Sequence, residues 1–130
     1  MDRTSGRILI VDDEPPLLRV LCLYLGRLGY AVTAAESTAS AWALAEAEPG
    51  AFAVAVLDGS MQGMSTEELA RRLLRSNAAL CVVACSGYPM DMSALEAVAP
   101  GRVAFLLKPF PPKMLVTAMR RLGGSQEKDV

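Results

Sequence analysis

The chain has 130 residues, of which 52% are apolar and 5% aromatic, and 13 Lys plus Arg nearly cancel 14 Asp plus Glu for a net charge of -1. That length suits one domain, which buries about two-thirds of its unfolded surface without disulfides, and the even charge supplies no global field for nucleic acid or an anionic membrane. Histidine is absent, which excludes a histidine-based triad, zinc site or phosphohistidine relay within the chain.

Four short apolar runs end in polar residues: RILIVDD, FAVAVLD, LCVVACS and RVAFLLK. Runs without polar alternation indicate strands buried on both faces, as in parallel sheets. In chain order the pattern predicts β1 near Arg7–Asp12, α1 running to Leu28, and a weaker β2 near Tyr30–Ala34. It continues with α2 over about Thr38–Glu48, β3 ending at Leu57, α3 over Thr66–Ser76 and β4 over Leu80–Cys85. Last come α4 over about Pro89–Val98, β5 ending at Leu107 and α5 over Pro112–Leu122. Ser65 and Glu68 read as a capping box for α3, and Gly29 and Gly123 stand where left-handed residues close α1 and α5. Five βα units with right-handed crossovers make a doubly wound three-layer α/β sandwich.

Ala78–Cys85, the longest apolar run, falls far short of the roughly 20 residues a membrane helix needs, and the first residues lack a signal-peptide core. A soluble cytoplasmic protein is expected, with no membrane partner and no direct nucleic-acid partner. Cys81 and Cys85 share a strand about 13 Å apart, too far to bridge, so reduced cysteines are expected. Residues 1–123 form the domain and 124–130 a polar tail.

In doubly wound sheets the site lies at the carboxyl ends of the strands, where strand order reverses. The residues at those ends are Asp12 and Asp13 after β1, Asp58 after β3, Ser86 after β4 and Lys108 after β5. Three carboxylates on one rim repel unless a cation joins them; oxygen ligands suit Mg²⁺, and also Mn²⁺. With a lysine and a hydroxyl beside them, the group matches a phosphoryl-transfer site. A carboxylate needs no general base to attack phosphorus, so Asp58 can serve as the nucleophile. The product is an acyl phosphate that water removes.

ILIVDDEPPLLRVLCLYLGRLGY, VLDGSMQGM, CSGYP and FLLKPF together resemble the receiver domain of two-component response regulators, over Arg7 to about Leu122. The resemblance implies a flavodoxin-like parallel sheet of order 2-1-3-4-5. It implies that Asp58 accepts a phosphoryl group from a kinase histidine, with slow self-dephosphorylation and no turnover substrate. Asp13, Asp58 and the Ser60 carbonyl would bind Mg²⁺ directly and Asp12 through water; Ser86 and Lys108 would grip the phosphoryl oxygens. Phe105 falls at the switch aromatic, and Lys108–Pro109 would be cis. The α4-β5-α5 face would signal to an effector or a second copy. On a helical wheel α1 turns Leu18, Leu21, Cys22, Leu25 and Leu28 inward and leaves Arg19, Val20, Leu23 and Arg27 outward, a face that would dock a histidine kinase or histidine phosphotransfer domain.

The chain departs from the family after the acceptor, where Met-Pro-x-Met-Asp-Gly is usual and Met61, Gln62, Gly63, Met64, Ser65 and Thr66 stand here. Gly59 and Gln62 remove a side chain and a proline ring, so a looser metal loop is expected. Ser60 and Tyr88 occupy positions that modulate hydrolysis in the family; neither is charged, and Tyr88 is expected to shield a long-lived phosphoryl group. Two alternatives stay open: a degenerate receiver acting as an unphosphorylated interaction module, and a flavin-binding relative, although Asp12-Asp13-Glu14-Pro15 would repel phosphate after β1. Kinase, signal and output are not encoded here. The chain reads as a stand-alone regulator or as a receiver from a larger chain such as a hybrid kinase, which CSGYP weakly resembles.

Overall fold

The computed structural model describes residues 6–61 and 63–123. Its elements are β1 (Arg7–Val11), α1 (Pro15–Arg27), β2 (Val32–Ala35), α2 (Thr38–Ala47), β3 (Phe52–Asp58), α3 (Thr66–Ser76), β4 (Cys81–Ser86), α4 (Ser93–Val98), β5 (Val103–Leu107) and α5 (Pro112–Gly123). All strand pairs are parallel and the order is β2-β1-β3-β4-β5, the expected doubly wound sandwich.

Alternation along the strands explains the three layers. Leu9, Val11, Ala55, Leu57 and Val82 face α2, α3 and α4 through Ala41, Leu69, Leu73 and Leu95. Ile8, Ile10, Val54, Val56 and Val83 face α1 and α5 through Leu18, Leu21, Leu25, Leu115, Val116 and Met119. Both faces of the central strands are apolar because both are covered. Each fully buried aliphatic contributes about 1.5–3 kcal/mol at most.

Several element ends differ from expectation for local reasons. α4 begins at Ser93 rather than Pro89, because Asp91 Oδ1 accepts from both the amide and the hydroxyl of Ser93 (3.0 and 2.7 Å) and holds a turn ahead of the helix. β2 begins at Val32, since the Tyr30 amide is still bonded to Leu25 O at the end of α1. Gly29 is left-handed with φ 99° as expected, whereas Gly123 is the last helical residue of α5. Only half of the capping box forms: Ser65 Oγ accepts from the Glu68 amide, while the Glu68 carboxylate turns to Arg71 and Arg72. Leu28, expected in the core, is exposed after the end of α1, while Val20 and Leu23 are exposed as expected.

Arg102 closes the far end of the molecule. Its guanidinium donates to the carbonyls of Leu80, Leu74 and Asn77, placing a cation where α3 ends and its carbonyls are unpaired. None of the described helices is long and apolar enough to cross a membrane.

Candidate functional site

Asp12, Asp58, Ser86 and Lys108 converge at the carboxyl ends of β1, β3, β4 and β5. Asp12 and Asp58 are 4% and 3% exposed and Ser86 7%, so three polar side chains are buried on one rim between the two apolar layers. Main-chain hydrogen bonds fix the spacing: Gly59 N donates to Cys85 O (2.6 Å), Lys108 N to Ser86 O (2.7 Å) and Asp12 N to Ala35 O (3.1 Å). The Lys108–Pro109 bond is cis.

One lysine holds the carboxylates together. Lys108 Nζ lies 3.0 Å from Asp12 Oδ2, 3.4 Å from Asp58 Oδ1 and 3.8 Å from Glu14 Oε1. Burial pushes the Asp12 carboxyl above its ordinary value, against the opposing pull of its hydrogen bonds from Lys108 and the Glu14 amide. Burial also disfavours the Lys108 ammonium, but the Asp12 hydrogen bond and the charges of Asp12 and Asp58 outweigh it and raise that group. Both partners therefore shift upward: desolvation wins at the more deeply buried carboxyl, and charge attraction wins at the lysine.

Asp12, Asp13 and Asp58 each offer a carboxylate oxygen, and these oxygens lie within 4.8 Å of one another, with Asp13 exposed beside its two buried partners. A cluster of hard oxygens spaced this way fits a divalent cation such as Mg²⁺. Asp58 Oδ1 also accepts from Ser60 N (3.2 Å) and Ser60 Oγ (3.0 Å). Among the described residues no donor reaches Asp58 Oδ2, which leaves that oxygen available for chemistry.

Ser86 Oγ accepts from Tyr88 N (3.1 Å), and its proton remains available to a further acceptor. Tyr88 is 80% exposed. Phe105 is half-buried on β5 opposite Ala84.

The expected looseness at Gly59 is not what the structure shows. A Cβ there would lie 2.6 Å from Met90 Sδ, 3.2 Å from Ser86 Cβ and 3.3 Å from Cys85 O. The missing side chain is replaced by a methionine from the β4–α4 loop, so glycine permits close packing. Gln62, the other departure, lies outside the described residues.

Two buried threonines escaped the sequence reading. Thr66 Oγ1 donates to Asp58 O (2.5 Å) and Thr38 Oγ1 to Met64 O (2.8 Å), tying both ends of the β3–α3 loop. A signal was present: Thr66 opens the buried stripe Thr66, Leu69, Ala70, Leu73 of α3, and a polar residue on such a stripe needs an acceptor.

A family model described as the response regulator receiver domain matches residues 8–120. The photosynthetic apparatus regulatory protein RegA of Rhodovulum sulfidophilum is 36% identical over 105 residues, covering 78% of this chain and 55% of that protein. Among solved structures, a response regulator receiver protein from Sinorhizobium medicae is 26% identical with a TM-score of 0.81, covering 96% of this chain and 99% of that one. The response regulator TrrA of Thermotoga maritima, solved in complex with Mg(2+)-BeF, is 27% identical with a TM-score of 0.72, covering 90% and 98%. The chain spans about half the length of the curated relatives it matches.

Proposed function

The chain belongs to the response regulator receiver domain family of two-component signalling, and on that footing we propose that Asp58 accepts a phosphoryl group from a kinase histidine. A carboxylate oxygen of Asp58 forms a bond to phosphorus as the phosphorus–nitrogen bond breaks and the imidazole leaves. The carrying observation is that oxygens of Asp12, Asp13 and Asp58 lie within 4.8 Å of one another with Lys108 Nζ 3.4 Å from Asp58 Oδ1. Asp13, Asp58 and the Ser60 carbonyl would hold Mg²⁺, with Asp12 acting through water; when bound, the ion neutralises phosphoryl oxygens and screens the attacking carboxylate. Lys108 and the Ser86 hydroxyl take the remaining phosphoryl oxygens.

Hydrogen bonds to charged groups contribute roughly 1.5–3 kcal/mol each, so those two could supply about 3–6 kcal/mol. Inverting a two-state equilibrium from 1:99 to 99:1 takes about 5.5 kcal/mol. Inward motion of Ser86, with Phe105 following, would then rearrange α4, β5 and α5, where Leu107 and Met114 are exposed to meet an effector or a second copy. The outward face of α1, with Arg19, Val20, Leu23 and Arg27 exposed, docks the phosphodonor. Ser60 and Tyr88 set how fast water removes the mark. The domain spans residues 1–123 in this reading, and a cytoplasmic location goes with it.

Intact-mass measurement after incubation with acetyl phosphate and Mg²⁺ tests the proposal. A single phosphate adduct on the wild type that is absent from Asp58→Asn is expected; no adduct on the wild type would favour an unphosphorylated interaction module.

A further inference from the structure

Asp58 can attack phosphorus in line only if its backbone is held at one height above the sheet, and the sheet does not do all of that holding. The ladder between β1 and β3 ends at the Val11–Leu57 pair, one residue short of Asp58. Beyond that rung the Asp58 carbonyl accepts from a side chain, Thr66 Oγ1, at 2.5 Å. Thr66 is the first residue of α3 and is 5% exposed. Between them lies the loop that carries Ser60, whose amide and hydroxyl both donate to Asp58 Oδ1.

From this geometry we infer that Thr66 is a positioning residue for the phosphoacceptor. Its hydroxyl clamps the main chain of Asp58 to the start of α3 and so fixes the aim of the carboxylate and the height of the Ser60 donors. The assignment rests on the phosphoacceptor role of Asp58. Thr66 stands where the receiver pattern usually has glycine, which has no hydroxyl to make such a clamp. Thr38 makes the matching attachment near the other end of the loop through Met64 O. Thr66 touches no phosphoryl oxygen; its effect passes through the Asp58 backbone.

Near-isosteric Thr66→Val removes the hydroxyl and keeps the volume, while Thr66→Ser keeps the hydroxyl and removes a methyl. The readout is the labelling rate at saturating acetyl phosphate and Mg²⁺, with thermal unfolding of each variant recorded alongside. Misplacement of a reacting group by about 1 Å costs about 100-fold, so a partial release predicts that Thr66→Val labels about tenfold or more slower at saturation. Thr66→Ser should stay within about threefold of wild type, although its smaller side chain packs less well. If Thr66→Val does not fold, Thr66→Ala is read against Thr66→Ser in the same way.

A folded hydroxyl-free variant that labels at the wild-type rate overturns the inference. So does a Thr66→Ser variant as slow as Thr66→Val, since the lost methyl would then be responsible. A wild-type chain that takes no phosphate overturns the phosphoacceptor role and the clamp with it, an outcome distinct from the other two.

Discussion

Gly59→Ala isolates the packing beside the acceptor. Among the described residues the left-handed glycines are Gly29, Gly50, Gly63 and Gly101, so alanine at 59 meets no backbone strain and, by stiffening the unfolded chain, would stabilise by about 0.4–1 kcal/mol. Against this, the new Cβ would lie 2.6 Å from Met90 Sδ, 3.2 Å from Ser86 Cβ and 3.3 Å from Cys85 O. The methionine sulfur is near the end of a flexible side chain and can retreat, but Ser86 and Cys85 are the last residues of a central strand and cannot. Overpacking of this kind costs about 1–3 kcal/mol, so the net effect is destabilisation by about 0.5–2 kcal/mol. Urea unfolding followed by the fluorescence of Trp42 reads it directly. With a slope of about 1–3 kcal/mol per molar urea the midpoint should fall by about 0.5 M at constant slope. Adding Met90→Ala should return at least about 0.5 kcal/mol of coupling, because the two side chains compete for one space. A Gly59→Ala midpoint at or above wild type would show that only the unfolded-state entropy had changed, and would refute the packing account.

Burial pushes the Cys85 thiol up to about 12 from an ordinary 9.0, so above pH 9 the unfolded chain releases a proton that the folded chain keeps. Stability from this group is complete below about pH 9 and is lost as pH rises toward 12; urea midpoints measured from pH 8 to 10.5 should fall less steeply in Cys85→Ala, and equal slopes would count against it. Leu23→Glu places a charge on the exposed face of α1 and should slow transfer from a phosphorylated histidine phosphotransfer domain that labels wild type, while acetyl phosphate labelling continues unchanged. Equal loss with both donors would remove the docking role. Tyr88→Glu puts a carboxylate where it can orient an attacking water and should shorten the lifetime of the phosphate adduct, read by intact mass over time; an unchanged or longer lifetime would exclude Tyr88 from control of hydrolysis.

The features that could be read from the sequence depend on local repetition or on chain order. ILIV and FAVAVL show burial on both faces because every residue is apolar, and parallel strands put their carboxyl ends on one rim, which groups Asp12, Asp13, Asp58, Ser86 and Lys108 from chain order alone. Features that depend on a distant neighbour stayed hidden. Gly59 looked like lost rigidity because Met90, which fills its place, comes from another loop. Thr66 and Thr38 looked like ordinary helix starts because their acceptors, the carbonyls of Asp58 and Met64, lie outside their own turns. The late start of α4 was missed for a different reason: Asp91 and Ser93 compete locally with the helix, and apolar periodicity does not register that competition.

The tethers Gly59 N to Cys85 O and Lys108 N to Ser86 O are made from peptide atoms that every residue except proline supplies in full. Replacement of neighbouring side chains other than Gly59 and Thr66 therefore leaves these tethers between β3, β4 and β5 in place, provided each layer stays filled. Changes in chain length are another matter. One residue added or removed within β3 or β4 turns alternate side chains to the opposite face, and would send Asp58 or Ser86 away from the rim. Such a frame tolerates substitution far better than insertion or deletion within its central strands.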